Sequence, residues 1–254
     1  MKSKLKWTGC IFLVLMTSCQ SHYVVSGISG SRILVDSRYD AVKDVEAEAY
    51  MAPFKARVDS IMEPKVGTAA RYLASHRPES ELSNLMADML VWVGGKYDEK
   101  PDFAVYNMGG IRAALPSGKV TYGDVMEVAP FENRICFLSL TGAKVMELFG
   151  QIARRGGEAV SRGVELVIDG KGELKSARLN GQDIDLEATY RVATIDYVAA
   201  GNDKMEAFKS KTDVKAPNDE RSIARLVLVD YLKEQERMGK AVDGNIEGRI
   251  KVED

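Results

Sequence analysis

The stretch Asn107-Met108-Gly109-Gly110-Ile111-Arg112 directly follows a short apolar segment, residues 102–106, which is predicted to be a buried strand. Two adjacent glycines permit a sharp turn and let a ligand approach backbone N–H groups. Arg112 offers a planar, permanently charged fork for a phosphate or a carboxylate. Asn107 can both donate and accept hydrogen bonds at the same place. From the spacing alone, a strand-ending turn with a solvent-facing Arg112 is the alternative interpretation.

Predicted strands and helices alternate on both sides of this loop, and tight turns join some of the strands. Ser80 is a predicted N-cap for a helix that ends at Gly94-Gly95, and Thr141 caps a helix that Gly156-Gly157 ends. The remaining predictions are strands at 33–35, 135–140, 164–168, 174–179 and 190–194, and helices at 40–62 and 219–238. The mixture of hairpins and strand–helix units predicts an α+β fold: one domain with a mixed β-sheet and flanking helices.

The N-terminus has the layout of a bacterial export signal. Three lysines precede the apolar run 7–16, and small polar residues then lead to Cys19. We therefore predict a lipoprotein signal peptide over 1–18, lipidation of Cys19, a tether over 19–39 and the folded domain over 40–254. Ordinary cleavage or a buried apolar start is the alternative. Residues 20–22 carry no acidic group, which favours a lipid-anchored, extracytoplasmic protein that faces the periplasm.

Composition excludes several classes of function. The chain has 254 residues, of which 45% are hydrophobic and 28% charged, an ordinary globular balance. Residues 1–18 hold three of the 35 basic side chains, which leaves 32 against 37 acidic ones and argues against binding a nucleic acid polymer. The two His and three Cys form no metal-binding motif, and no catalytic triad that uses His can be drawn. The sequence also holds no phosphate-binding loop motif. Cys136 lies in an apolar run, so we predict a buried, inert thiol.

Two further loops carry aromatic side chains. Phe131 lies in Pro130-Phe131-Glu132-Asn133, and Tyr197 begins a polar segment that continues to Asp203. An aromatic ring on each side of a flat ligand makes a stacking clamp, and Asp203 can accept hydrogen bonds from sugar hydroxyls. Taken alone, each aromatic residue is also compatible with simple packing.

These loops together resemble the C-terminal domain of 5'-nucleotidases over about residues 64 to 210. The resemblance is carried by six short motifs in the same order along the chain: Glu79-Ser80-x-Leu82-x-Asn84-Leu85, Asn107-x-Gly109-Gly110-Ile111-Arg112, Gly118-x-Val120-Thr121, Pro130-Phe131-x-Asn133, Leu140-Thr141-Gly142, and Tyr190-Arg191-Val192-Ala193-Thr194 with the 196–203 loop.

The resemblance implies that this domain binds the nucleoside part of a nucleotide. It assigns the base sandwich to Phe131 and Tyr197, and ribose hydroxyl binding to Asp203. It places Asn107 and Arg112 near the phosphate and Gly109 and Gly110 against the ligand. Arg77 falls near the position of another arginine of the family, with the register one residue out. The family's Gly-Gly-Asp-Gly is replaced here by Gly201-Asn202-Asp203-Lys204, and Tyr197 replaces the usual Phe.

Family enzymes also carry an N-terminal metallophosphatase domain with two metals, for which the sequence between the export signal and the binding domain has no room. The resemblance therefore implies the substrate-binding half of an extracytoplasmic 5'-nucleotidase that acts in nucleotide catabolism. We expect no catalytic residue and no cofactor in this chain, no hydrolysis by the lone chain, and divalent metals only in a separate metallophosphatase polypeptide. The ligand would be a nucleoside monophosphate or a related nucleotide. The alternatives are a stand-alone nucleoside- or nucleotide-binding lipoprotein and a degenerate scaffold for a partner.

Overall fold

The computed structural model describes residues 23–40 and 43–253. The predicted signal peptide and the predicted lipidation site Cys19 lie outside the described residues. The chain divides into two units at Tyr50. In the first unit residues 23–40 are exposed, and Ser37–Tyr39 form a 3-10 turn capped by Asp36. The predicted strand at 33–35 is not formed, since an apolar run becomes a strand only where another strand pairs with it.

The helices, numbered in chain order, are α1 Val45–Met62, α2 Glu81–Gly94, α3 Tyr122–Val128, α4 Gly142–Arg154, α5 Asp196–Ala199 and α6 Ala224–Arg237. The strands are β1 Lys65–Ala69, β2 Phe103–Tyr106, β3 Gly118–Thr121, β4 Ile135–Thr141, β5 Ala159–Val160, β6 Val164–Asp169, β7 Leu174–Leu179, β8 Gln182–Asp183, β9 Thr189–Ile195, β10 Thr212–Lys215 and β11 Ile250–Glu253. Short 3-10 helices occupy Gly95–Tyr97, Met108–Gly110, Glu206–Ser210 and Glu220–Ser222.

The central sheet has five strands in the order β10-β4-β9-β2-β5. Strands β9 and β2 are parallel and every other pair is antiparallel, so the sheet is mixed as predicted. Helices α2 and α4 pack on this sheet, and the rings of Phe103 on β2 and Phe149 on α4 lie 5.4 Å apart. Because the central strands are covered, β4 is buried along six consecutive residues, Cys136 among them. Burial raises the pKa of the Cys136 thiol, in keeping with an unreactive side chain.

A second, four-stranded sheet has the order β11-β6-β7-β8, and α4 also contacts β6 and β7. The predicted hairpin and the Asn180-Gly181 turn are both formed, with positive φ at Asn180 and at Gly181. Strand β11 pairs in parallel with β6, and β1 pairs with β3 in a two-stranded ribbon. The sequence did not predict these two pairings, because their partners are far apart along the chain.

The two terminal helices differ from their predictions. Helix α1 begins at Val45, where the Asp44 carboxylate accepts a hydrogen bond from the Ala47 N–H, rather than at Asp40. None of its residues is buried, so its predicted apolar face is not part of the core. The predicted 219–238 helix is a 3-10 turn followed by α6. Among the described residues, no helix is long and apolar enough to cross a bilayer.

Candidate functional site: a cleft at one end of the central sheet

The topology of the central sheet brings three predicted loops to one end. Strand β4 begins opposite the end of β9, since Ile135 pairs with Ile195 in antiparallel register. Strand β2 runs parallel to β9, so its carboxyl end points the same way. The loop after β2, the loop before β4 and the turn after β9 therefore meet at one edge of the sheet.

A cleft of about 400 Å³ opens between these loops. Seven of the eight residues that the sequence singled out for ligand binding line it, together with Asn133: Asn107, Gly109, Gly110, Arg112, Phe131, Tyr197 and Asp203. Arg77, the eighth, lies in a neighbouring cavity. The structure thus brings together residues that are up to 96 positions apart in the sequence.

Two aromatic side chains form part of the cleft wall. Phe131 is 45% exposed and Tyr197 is 40% exposed, whereas Phe103, Phe137 and Phe149 are fully buried in the core. Phe131 and Tyr197 are therefore not buried packing residues of the core, which was the alternative interpretation. Large aromatic surface left open in a concave site is available for stacking on a flat ligand.

The polar floor of the cleft joins Asn107 to Asp203. The buried Asn107 amide donates from Nδ2 to Asp203 Oδ2 at 2.7 Å. The Tyr197 hydroxyl lies 3.5 Å from Asp203 Oδ1, at the outer limit of a hydrogen bond. Among the described residues, Asn107 Oδ1 is a buried acceptor that has no donor. Asn107 thus lies beside the predicted sugar acceptor and holds the Asp203 carboxylate in place.

The two glycines of the loop differ in the space around them. A Cβ at Gly110 would lie 2.7 Å from Asn107 Oδ1 and 2.9 Å from Tyr106 Cε1, whereas a Cβ at Gly109 would meet nothing closer than 3.7 Å. Gly110 is therefore required for the close packing of Asn107 against Tyr106. The buried Tyr106 phenol, whose pKa burial raises, stays neutral beneath this loop.

We expect Gly110→Ala to destabilise the protein by about 1–3 kcal/mol, because the added methyl overlaps two side chains in a tightly packed region. Gly109→Ala is the matched control and should change the free energy of unfolding by less than about 0.5 kcal/mol. Urea unfolding followed by circular dichroism measures both. Equal stability of the two variants would contradict the packing role of Gly110.

The turn after β9 places Asp203 in the cleft, although Asn202 and Lys204 stand where the resemblance implies glycines. Asp203 and Lys204 adopt φ of 54° and 61°, in the left-handed region that favours glycine. The side chain of Asn202 braces the turn, since its Nδ2 donates a hydrogen bond to the Tyr197 carbonyl at 2.8 Å. The substitutions at 202 and 204 therefore leave the Asp203 carboxylate pointing into the cleft.

Lys204→Gly should raise stability by roughly 0.5–1 kcal/mol, because glycine removes the left-handed backbone strain at a small entropic cost. For a chain of this size that corresponds to about 1–4 °C in melting temperature. Asn180→Gly is the control, since asparagine tolerates its positive φ of 52° and should gain less. A Lys204→Gly variant that melts below the parent protein would contradict the presence of strain at this position.

The Phe131 loop is held by the start of α6. Arg225 is buried and donates from Nη1 to the Pro130 carbonyl at 3.1 Å, and the Ala224 N–H donates to the Asn133 carbonyl at 2.8 Å. Both ends of the loop are therefore fixed to one helix. Arg225 was not predicted as a site residue, because nothing in the local pattern shows that residue 225 lies against residue 130.

The two predicted arginines occupy different places. Arg112 is exposed on the rim of the cleft, where its Nη1 lies 3.4 Å from the Gly109 carbonyl. Arg77 donates from Nε to the Gly157 carbonyl at 2.8 Å and pairs with Glu158. Arg112 is thus available to an anion in the cleft, while Arg77 is largely engaged within the protein.

Glu158 is a site residue that the sequence did not indicate. Its fully buried carboxylate accepts hydrogen bonds from Arg77, from Arg155 and from the Met108 N–H. It thereby ties the Gly-Gly loop to the basic residues behind it. Within residues 23–40 and 43–253, no group of three or more His, Cys, Asp or Glu side chains could hold a metal ion.

The chain belongs to the family of the 5'-nucleotidase C-terminal domain, whose sequence model matches residues 64–210. This agrees with the resemblance carried by the six motifs. Protein UshA of Yersinia enterocolitica is 29% identical over 157 residues, and cell wall protein Lmo0130 of Listeria monocytogenes is 24% identical over 220 residues. The crystal structure of a 5'-nucleotidase precursor from Thermus thermophilus superposes with a TM-score of 0.70 at 28% identity.

The match covers only part of each relative. It includes 60% of this chain and 28% of the Yersinia protein, and 77% of this chain and 28% of the Listeria protein. For the Thermus structure it includes 83% of this chain and 43% of that one. The chain therefore spans less than a third of the length of either curated relative. The family and the α+β fold are established for the region that matches.

Proposed function

We propose that this chain binds the nucleoside part of a nucleotide for an extracytoplasmic 5'-nucleotidase that acts in nucleotide catabolism. The observation that carries the proposal is the convergence of Phe131, Tyr197 and Asp203 on one cleft. Two open aromatic rings suit the faces of a base, and a carboxylate suits vicinal sugar hydroxyls. Membership of the 5'-nucleotidase C-terminal domain family supports the same ligand class.

In this proposal the phosphate of the ligand points to the rim of the cleft. Arg112 lies there, exposed, with a guanidinium that can hold two phosphate oxygens at once. Asn107 Nδ2 holds the Asp203 carboxylate, and the backbone of Gly109 lies against the sugar. A base held by its faces rather than by its edges is compatible with several nucleobases, since every base has an aromatic face.

Hydrolysis is assigned to a metallophosphatase on a separate polypeptide, which brings the divalent metals and docks beside the open cleft. We propose that a lipid on Cys19 holds this chain at the membrane, facing the periplasm. The names of two relatives, the cell wall protein of Listeria and the 5'-nucleotidase precursor of Thermus, support an extracytoplasmic nucleotidase. The positively charged, apolar N-terminal run of this sequence supports export.

Calorimetric titration of the purified chain with adenosine, AMP and a sugar nucleotide tests the binding function. We expect heat with adenosine and AMP. If none of the three ligands gives heat and the chain still binds a partner protein, the proposal is rejected and the chain is a scaffold for that partner. Metal-dependent release of phosphate from AMP by the chain alone would overturn the assignment of hydrolysis to a partner.

Co-purification from native membranes distinguishes the split enzyme from a stand-alone binding lipoprotein. We expect a metal-containing polypeptide to be retained with the chain. The fractions that contain this complex should be the ones that release phosphate from AMP. Nucleotide binding without any retained metal-containing polypeptide would favour the stand-alone lipoprotein. The Cys19→Ser variant should be found in the soluble fraction instead of the membrane fraction. Its affinity for AMP in solution should stay the same.

A further inference from the structure

A second cavity of about 570 Å³ adjoins the cleft, and its lining is strongly basic. Arg77, Gln151, Arg154, Arg155 and Lys204 line it. Four of these five side chains are cations, whereas the aromatic-walled cleft has only Arg112. The concentration of positive charge in one concave surface attracts anions.

The positive charge of this cavity is only partly compensated. Glu158, fully buried, pairs with both Arg77 and Arg155, and Asp203 Oδ1 lies 3.9 Å from Arg155. Within the described part of the chain, Arg154 and Lys204 form no ion pair. Four cations line the cavity against two carboxylates. Arg154 also lines a neighbouring cavity with Glu147, Lys171 and Glu173, so the basic cavity carries an excess of about one to two positive charges.

The turn at Asp203 and Lys204 contributes to both the cleft and the basic cavity. Asp203 lines the cleft and Lys204, the next residue, lines the basic cavity. Arg155 lines the basic cavity and reaches Asp203 from that side. A ribose whose secondary hydroxyls lie against Asp203 would therefore present that edge to Arg155 and Lys204.

We propose that the basic cavity is a second anion subsite, which takes a phosphate group attached to the ribose edge of the nucleotide in the cleft. The inference rests on the proposed function, since it needs the sugar to lie against Asp203. The ligand class is a nucleoside that carries phosphate at a secondary ribose hydroxyl as well as at the 5' position. Arg154 and Lys204 supply the uncompensated charge, and Arg155 offsets the repulsion between the phosphate and Asp203.

The test compares adenosine 3',5'-bisphosphate, ADP and AMP by calorimetry at fixed salt. We expect the bisphosphate to bind about tenfold or more tightly than AMP, as charge-assisted contacts to one further phosphate would give. ADP should bind within about threefold of AMP, because its added phosphate extends from the 5' end. In the Arg154→Met/Lys204→Met double variant, the bisphosphate should lose this gain while AMP binding is retained.

The Lys100→Met/Lys240→Met double variant is the matched control, since it removes two exposed positive charges away from the cavity. It should keep the full gain for the bisphosphate. Arg154 also lies in the last turn of α4, where a cation favours the helix dipole, so thermal unfolding of each variant is measured in parallel. A folded double variant is required for the comparison, and Arg154→Gln alone serves where the pair does not fold.

Several results would overturn the inference. A bisphosphate that binds no more tightly than AMP would remove the subsite and leave the proposed function intact. The same gain with ADP, or a gain that persists in the Arg154→Met/Lys204→Met variant, would place the second phosphate elsewhere. No binding of AMP to the parent protein would instead reject the proposed function, and this inference with it.

Discussion

Phe131→Ala is expected to weaken the binding of adenosine and AMP by roughly tenfold or more. Stacking of a base on an aromatic side chain contributes about 1–3 kcal/mol, and each 1.4 kcal/mol is a factor of about ten in affinity. Because Phe131 is 45% exposed, its removal leaves no cavity in the core and should barely change stability. Calorimetric titration of the variant with adenosine and AMP gives the loss directly.

Variants of Tyr197, the second ring, provide a control and show how large the loss of affinity becomes when both rings are removed. Tyr197→Phe keeps the ring and loses only a hydroxyl at the outer limit of hydrogen bonding to Asp203, so affinity should stay within about twofold. The Phe131→Ala/Tyr197→Ala double variant should lose roughly a hundredfold or more if both faces of the base are covered. An unchanged affinity of Phe131→Ala would remove Phe131 from the site.

Asp203→Ala is the second substitution with a large expected effect. A charged acceptor that binds a sugar hydroxyl contributes about 1.5–3 kcal/mol, so AMP affinity should fall roughly 10- to 100-fold. The variant also deprives Asn107 of its 2.7 Å partner. A ligand without the two sugar hydroxyls separates the lost sugar contact from the disturbed Asn107. Such a ligand cannot bond to Asp203, so it responds only to a change in the cleft floor.

The measurement is therefore made with AMP and with 2',3'-dideoxy-AMP. We expect the parent protein to prefer AMP and the Asp203→Ala variant to bind both ligands with similar, weak affinity. The dideoxy compound should bind the parent and the variant within about threefold of each other. An equal loss for the two ligands would mean that Asp203 shapes the floor of the cleft through Asn107 instead of contacting the sugar.

The parts of the fold that the sequence predicts are those with local signals. Ser80, Thr141 and the glycine pairs mark helix ends through short-range backbone chemistry, and these boundaries agree with α2 and α4. The Asn180-Gly181 turn is local in the same sense. Strand pairings between distant segments have no local signal, which is why β11 beside β6 and the ribbon of β1 and β3 were not predicted.

The cleft itself was predictable only as a set of loops. Motif order placed Phe131 and Tyr197 among the candidates, but their approach depends on the Ile135–Ile195 register of the sheet. Glu158 and Arg225 hold the loops through contacts 50 and 95 residues away, which no pattern in one sequence reveals. The apolar face predicted for α1 is exposed, because periodicity alone does not show whether a partner surface exists.

A crystal structure of the chain soaked with adenosine tests the central claim most directly. We expect the adenine ring to lie between the side chains of Phe131 and Tyr197, with the ribose hydroxyls within hydrogen-bond distance of Asp203. Adenosine bound with its base away from both rings, or a cleft that stays empty at saturating adenosine, would contradict the claim.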